Sequence, residues 1–151
     1  MESPTAGWRR ATNDDVPILL QMMESFCTLE HLHFMADQRH NLILSMLEQK
    51  DLGRRFVIEC DGSPAGYAAL CFGFSFEYMG RDAFIDELYI DEKSRGKGLG
   101  TQTMEYLIGF GEQLGLKAIH LEVDLENERA QNVYRKLGFR GKDRYLWTKW
   151  L

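Results

Sequence analysis

Hydrophobic and polar positions along this chain change period several times, and each change marks an element. Residues 8–12 suit a first short strand. Asn13, Asp14 and Asp15 then supply capping side chains and first-turn acids, Pro17 falls in the first turn, and Val16, Leu19, Leu20 and Met23 keep helical spacing. Residues 28–35 carry no clear period. From Asp37 a second helix is expected, with Leu42, Ile43, Met46 and Leu47 on one face. Residues 55–60 alternate as a strand, Asp61-Gly62 is a turn signal, and a longer strand runs from Pro64 through Phe72. The aromatic, glycine-containing stretch 73–81 reads as a strand end and a turn, with Phe72 and Phe74 in the core. Residues 83–90 form the next strand. A glycine-rich turn leads into a helix over 98–114 with an inner stripe of Gly100, Met104, Leu107, Ile108 and Gly111, closed by Gly115. Residues 118–123 alternate as a strand, a helix runs from Asn127 to Leu137-Gly138, and residues 145–150 read as a final strand, with an extra strand open at 139–141. The order strand, two helices, three strands, helix, strand, helix, strand implies a mixed α+β fold: one sheet with helices on both faces.

Composition narrows the class. A chain of 151 residues that is 44% hydrophobic suits a single domain, 1–151, with a real core, and 27% charged residues with 12% aromatics argue against disorder. A net charge of −5 makes nucleic acid a poor partner and is compatible with a cationic ligand. Cys27, Cys60 and Cys71 match no zinc or redox spacing, and His31, His33, His40 and His120 match no metal set, so no metal is expected. Scattered cysteines, no apolar run long enough for a membrane span and no leader-like start together suggest a cytoplasmic protein with no membrane partner.

The strongest chemical signal is Ile90-Asp-Glu-Lys-Ser-Arg-Gly-Lys-Gly-Leu-Gly-Thr101. A strand ends, glycines follow and a helix begins. Unpaired N–H groups and the helix dipole favour an anion there, and glycine lets a diphosphate approach the backbone. Arg95 and Lys97 add charge, and Thr101 offers a hydroxyl. The turn lacks the Gly-Lys-Ser/Thr ending of a P-loop and lies too late in the chain for a dinucleotide fingerprint. Downstream, Asn127, Ala130 and Tyr134 share one helical face at i, i+3 and i+7.

Together these stretches resemble the GNAT superfamily of acyl-CoA N-acyltransferases. Arg95-Gly-Lys-Gly-Leu-Gly100 is similar to its R/Q-x-x-G-x-G/A motif, and the segment 127–139 is similar to its second acyl-CoA-binding helix with the Leu-Gly-Phe that follows. The resemblance implies a central twisted sheet of about six to seven strands with about four helices. It implies acetyl-CoA as cosubstrate, bound by Leu88, Tyr89 and Ile90, by Arg95, Gly96, Lys97, Gly98, Leu99, Gly100 and Thr101, and by Asn127 and Ala130. The strand before the glycine turn is expected to splay from the next one and admit the pantetheine arm. Attack by the amine is then direct, with no acyl-enzyme. Tyr134 occupies the family's position for the acid that protonates the departing thiolate. Asp86 and Glu87 are candidate bases for an ammonium of pKa about 10. Strand alternation places them on opposite faces, with Asp86 sharing parity with Leu88 and Ile90 and Glu87 with Tyr89.

The stretch 74–90 also looks like the corresponding region of diamine or polyamine acetyltransferases, so a small cationic amine is the expected acceptor, with Glu77 also near its cleft. Two alternatives stay open: a protein lysine or N-terminal acetyltransferase, and a non-catalytic acyl-CoA-binding regulatory module. The sequence leaves monomer and homodimer open.

Overall fold

The computed structural model describes residues 3–151. Five strands form one sheet in chain order: β1 (Ala6–Arg10), β2 (Gly53–Cys60), β3 (Ser63–Ser75), β4 (Gly80–Ile90) and β5 (Ala118–His120). The first four are antiparallel neighbours and β5 pairs parallel with β4. Between β1 and β2 lie a short 3-10 turn at Asn13–Asp15 and two helices, α1 (Val16–Leu29) and α2 (Ala36–Glu48). Helix α3 (Leu99–Leu114) joins β4 to β5, and α4 (Glu128–Lys136) follows.

Alternating residues of the strands feed two cores. On one face Phe56, Ile58, Ala68, Leu70, Ala83 and Ile85 pack with Leu99, Met104 and Leu107 of α3. On the other, Val57, Tyr67 and Tyr89 pack with Leu19, Met22 and Met23 of α1 and Ile43 of α2. Asp15 fixes the start of α1. Its carboxylate takes two bonds from Arg9, at 2.7 and 2.8 Å, and a third from the Thr12 N–H at 2.8 Å. Gly115 ends α3 with φ of 79°.

Several expectations change. The sheet has five strands rather than six or seven, and β5 stops at His120 instead of Val123. Residues 145–150 and 139–141 form no strand. Leu121 and Val123 remain half-buried while Glu122 and Asp124 are exposed, so the alternation of a strand persists without a ladder partner. Phe72 does pack on the core, but Phe74 is exposed near the end of β3, which runs on to Ser75, and its ring lies 6.0 Å from that of Phe76.

Candidate functional site

β4 and β5 pair only at Asp82–Ala118, Ala83–Ile119 and Phe84–His120. From Ile85 onward β4 has no partner on that side, and its backbone N–H and C=O groups border an open V. The pairing expected to be lost before the glycine turn is lost beyond Phe84, where β5 itself ends, and Leu88, Tyr89 and Ile90 lie on the unpaired stretch of β4.

At the end of β4 the chain makes a 3-10 turn at Glu92–Ser94 and enters the glycine segment. Gly96 and Gly98 take φ of 74° and 78°, the left-handed region where a side chain is strained. Gly98 thereby turns the chain into α3, whose first N–H groups have no intrahelical partner. Gly100 sits in the first turn with open space where a Cβ would be. Arg95 donates from Nε to the Ile90 carbonyl at 2.9 Å, and its guanidinium lies 5.8 Å from the centre of the Tyr89 ring. That anchor holds the cation beside the end of β4.

A groove of about 490 Å³ runs along this turn. Leu88, Tyr89, Ile90, Arg95, Gly96, Gly98, Leu99, Gly100 and Thr101 line it, and the end of α1 closes it with Phe26, Leu29 and Glu30. Lys97 is exposed and is not among its lining residues. A second hollow of about 280 Å³ shares Leu88, Gly100, Thr101 and Arg129 with the first, and adds Asn127, Ala130 and Tyr134. The sequence-selected residues of β4, α3 and α4 thus meet along one path.

Arg129 was not singled out from sequence. It stands in the first turn of α4, where a cation opposes the helix dipole. A cation in that position, facing a second helix N-terminus, is a signal for an anionic ligand. Asn127 uses its side-chain oxygen to accept from the Ala130 N–H at 3.1 Å, which fixes the start of α4. Tyr134 is half-buried, packs edge-on against Phe139 at 6.0 Å, and burial pushes its phenol above the ordinary range. It stays protonated and able to donate.

The two carboxylates differ sharply. Glu87 is buried, takes bonds from Arg39 at 2.8 and 3.1 Å, and accepts from the Tyr67 hydroxyl at 3.0 Å. Asp86 is exposed and sits at a β-bulge, since Ala69 faces Glu87 while Leu70 faces Ile85. The bulge changes the expected parity. Ala83 and Ile85 face the α3 core, as do Leu88 and Ile90, whereas Glu87 and Tyr89 turn toward α1 and α2. Both Asp86 and Glu87 therefore fall on the α1/α2 side, and Asp86 does not share parity with Leu88. Desolvation raises the Asp86 carboxyl above its ordinary range, the Glu87 charge adds to the rise, and Arg55 and Arg39 oppose it. Asp86 is thus the available carboxylate and Glu87 the committed one.

Glu77 is held by Lys142 and Arg144, both at 2.8 Å, on the turn between β3 and β4. It is a paired residue at the hairpin tip rather than a free carboxylate of the V. Among the described residues, no three of His, Cys, Asp and Glu gather as a metal site, and no helix is long and apolar enough to cross a membrane.

The "Acetyltransferase (GNAT) family" model matches residues 19–139, which span both cores, the V and the glycine turn. An uncharacterized N-acetyltransferase of Methanocaldococcus jannaschii is 26% identical over 137 residues, 89% of this chain and 61% of that protein. The spermidine N(1)-acetyltransferase of Escherichia coli is 40% identical over 87 residues, 57% of this chain and 45% of that protein. The chain thus spans about half the length of these relatives. Among solved structures, an integron cassette protein from the mobile metagenome of Cole Harbour Salt Marsh superimposes with a TM-score of 0.84 at 30% identity, covering 95% of this chain and 90% of the other. A predicted acetyltransferase of Clostridium acetobutylicum, solved with acetyl-CoA, superimposes with a TM-score of 0.78 at 20% identity over 96% of each chain, a likeness of fold. By the family match across most of its length, and by a fold that agrees with it, this chain belongs to the GNAT family of acetyltransferases.

Proposed function

We propose that this domain transfers an acetyl group from acetyl-CoA to a primary amine by direct attack on the thioester. One observation carries the reading: a single path joins the α3 N-terminus and Arg129 to the open edge of β4 and then to Tyr134. The N–H groups of α3, with Arg95 and Arg129, suit a diphosphate. The unpaired backbone of residues 88–90 suits the amides of a pantetheine arm, as an added strand would. The thioester then reaches the bulge at Asp86 from one side and Tyr134 from the other.

In the reaction, Asp86 takes a proton from the acceptor ammonium, directly or through a water. The free amine attacks the thioester carbonyl, a C–N bond forms, and the C–S bond breaks. Tyr134 gives its proton to the departing sulfur, which leaves as CoA thiol. The positioned base and acid contribute roughly 10²–10⁴ each in rate. Glu87, locked by Arg39 and Tyr67, holds the bulge in shape and is not needed as a base.

The acceptor we propose is a small cationic amine, with diamines and polyamines first. Similarity to the E. coli spermidine N(1)-acetyltransferase supports this, as does the net charge of −5. The test is a panel of polyamines, aminoglycosides, amino acids and peptides at fixed acetyl-CoA, read by thiol release. A diamine or polyamine should give the highest kcat/KM, and that value should fall as salt rises, because steering is screened over about 8 Å at physiological ionic strength. Faster turnover of neutral peptides or simple amino acids, with kcat/KM indifferent to salt, would overturn the cationic acceptor and leave the acetyl-transfer reading in place.

A further inference from the structure

Behind the carboxylates of β4 runs a buried row across three strands. Cross-strand partners share a face of a sheet, and Arg55 of β2 faces Ala69 of β3, which in turn faces Glu87 of β4. Val57 and Tyr67 lie two residues along from Arg55 and Ala69 and pack under α1 and α2, so the row is on that side of the sheet. The bulge brings Asp86 to the same side, next to Glu87. The middle of the row is only the methyl group of Ala69, itself fully buried. No larger side chain of the ladder separates Arg55 from the two carboxylates.

Arg55 is 8% exposed, and among the described residues no carboxylate pairs with it. Its Nη1 donates to the Met23 sulfur at 3.2 Å, its guanidinium lies 5.5 Å from the centre of the Tyr67 ring, and its Nε meets no acceptor. A buried charge without a counter-ion is costly, and an apolar residue of similar volume would fill the same place at less cost. Packing alone therefore does not account for an arginine here. Neither the groove along the glycine turn nor the adjoining hollow is lined by Arg55, so a ligand held there is not its counter-ion. Glu87, the carboxylate in line with it, is taken by Arg39 and by the Tyr67 hydroxyl.

The groups around Asp86 single out the same arginine. Burial and then Glu87 disfavour the Asp86 charge, while Arg55 from β2 and Arg39 from α2 favour it. Arg39 is already paired with Glu87. Burial raises the Cys71 thiol and the Tyr67 phenol on β3 and the Cys27 thiol on α1, so all three stay uncharged. On the β5 side, His120 and Asp82 bond each other at 2.9 Å. Arg55 is the cation of this group that no carboxylate has neutralised.

We propose that Arg55 is a positioning residue for acetyl transfer: it holds the Asp86 carboxylate in the charged form that takes the proton from the acceptor ammonium. It acts through Asp86 across Ala69 and touches neither the acceptor nor acetyl-CoA. The inference rests on the reading of Asp86 as the base. The unpaired charge gives up stability for a base that is ionised at working pH.

The test replaces Arg55 by Met and by Gln, which remove the charge, and by Lys, which keeps it. In the neutral variants the acid limb of kcat/KM should move up by about one pH unit, a loss of about tenfold on that limb. The Asp86 carboxyl should move with it in a carbon NMR titration, where its signal is the one absent from Asp86→Asn. Arg55→Lys should keep both near wild type, and the melting temperature of Arg55→Met should hold or rise. A folded neutral variant in which neither the limb nor the carboxyl moves overturns the proposal. So does an Arg55→Lys protein that shifts as far as Arg55→Met. Failure of both neutral variants to fold overturns it equally, because Arg55 would then hold the fold rather than the base. Failure of the underlying reading looks different: Asp86→Asn would keep the acid limb, and in the Arg55 variants the carboxyl would move while the limb stayed.

Discussion

Replacing Gly100 by valine separates ligand binding from stability more cleanly than any other change in the glycine turn. At Gly98 the backbone has φ of 78°, so any side chain there adds strain of about 1–2 kcal/mol and confuses the two effects. Gly100 has no such φ, and nothing lies within 4 Å of the Cβ it lacks. Valine is a slightly better helix former than glycine, by about 0.3 kcal/mol, so the melting temperature should stay within about 1 °C or rise. The branched side chain would stand in the wall shared by the two hollows, between the α3 N–H groups and a bound diphosphate. Loss of two charge-assisted hydrogen bonds at roughly 1.5–3 kcal/mol each amounts to about 3–6 kcal/mol. That corresponds to a CoA affinity roughly 10²–10⁴ weaker. Titration calorimetry with CoA reads the affinity and circular dichroism reads the fold. An affinity within threefold of wild type in a folded Gly100→Val protein would refute the assignment of this turn.

Three further outcomes follow from the geometry. Tyr134→Phe keeps the ring on Phe139 and removes the proton, so kcat should fall by roughly 10²–10⁴ with CoA binding nearly unchanged; pre-steady-state kinetics show whether chemistry limits. Because the Asp86 carboxyl is raised, the base is protonated at low pH and activity should rise as pH climbs through that displaced value; Asp86→Asn should abolish this acid limb, and a limb that persists would remove Asp86 from the proton path. Asp15 is held at about 2 by Arg9, chiefly through their hydrogen bonds, so its share of stability is present above the unfolded value near 3.9 and is lost as pH falls toward about 2. The shift is worth roughly 2 kcal/mol, which solvent around the part-exposed Arg9 reduces to about 1 kcal/mol; Asp15→Asn should cost that much at pH 7 by chemical denaturation, and the gap from wild type should close in acid.

The glycine turn and the helix it opens were legible because local chemistry dictates them. Gly98 and Gly115 bracket α3 with left-handed backbone, and the apolar stripe between them keeps a helical period. The first four strands were legible with shifted ends: β2 from the alternation of Phe56, Ile58 and Cys60, and β3 from the Asp61-Gly62 turn before it. The bulge at Asp86 was not legible, because parity counted along the sequence assumes an unbroken ladder; only the pairing with β3 reveals that one residue is extra. Glu77 looked like a free carboxylate, since its partners Lys142 and Arg144 lie far along the chain. Arg129 was passed over among the charges of a polar helix, although a cation in a first helical turn is a readable anomaly. The stretch 145–150 has a strand's composition and yet forms no strand, because a strand also needs an edge to join.

The measurement that bears most directly on acetyl transfer follows both products during the first turnovers with acetyl-CoA and the best amine of the panel. Direct attack predicts CoA thiol and N-acetylated amine appearing together in equal amounts, with no thiol released before amine is added and no acetylated protein seen by intact mass. A burst of thiol without amine, an acetylated enzyme, or acetyl-CoA binding with no turnover of any amine would contradict the account.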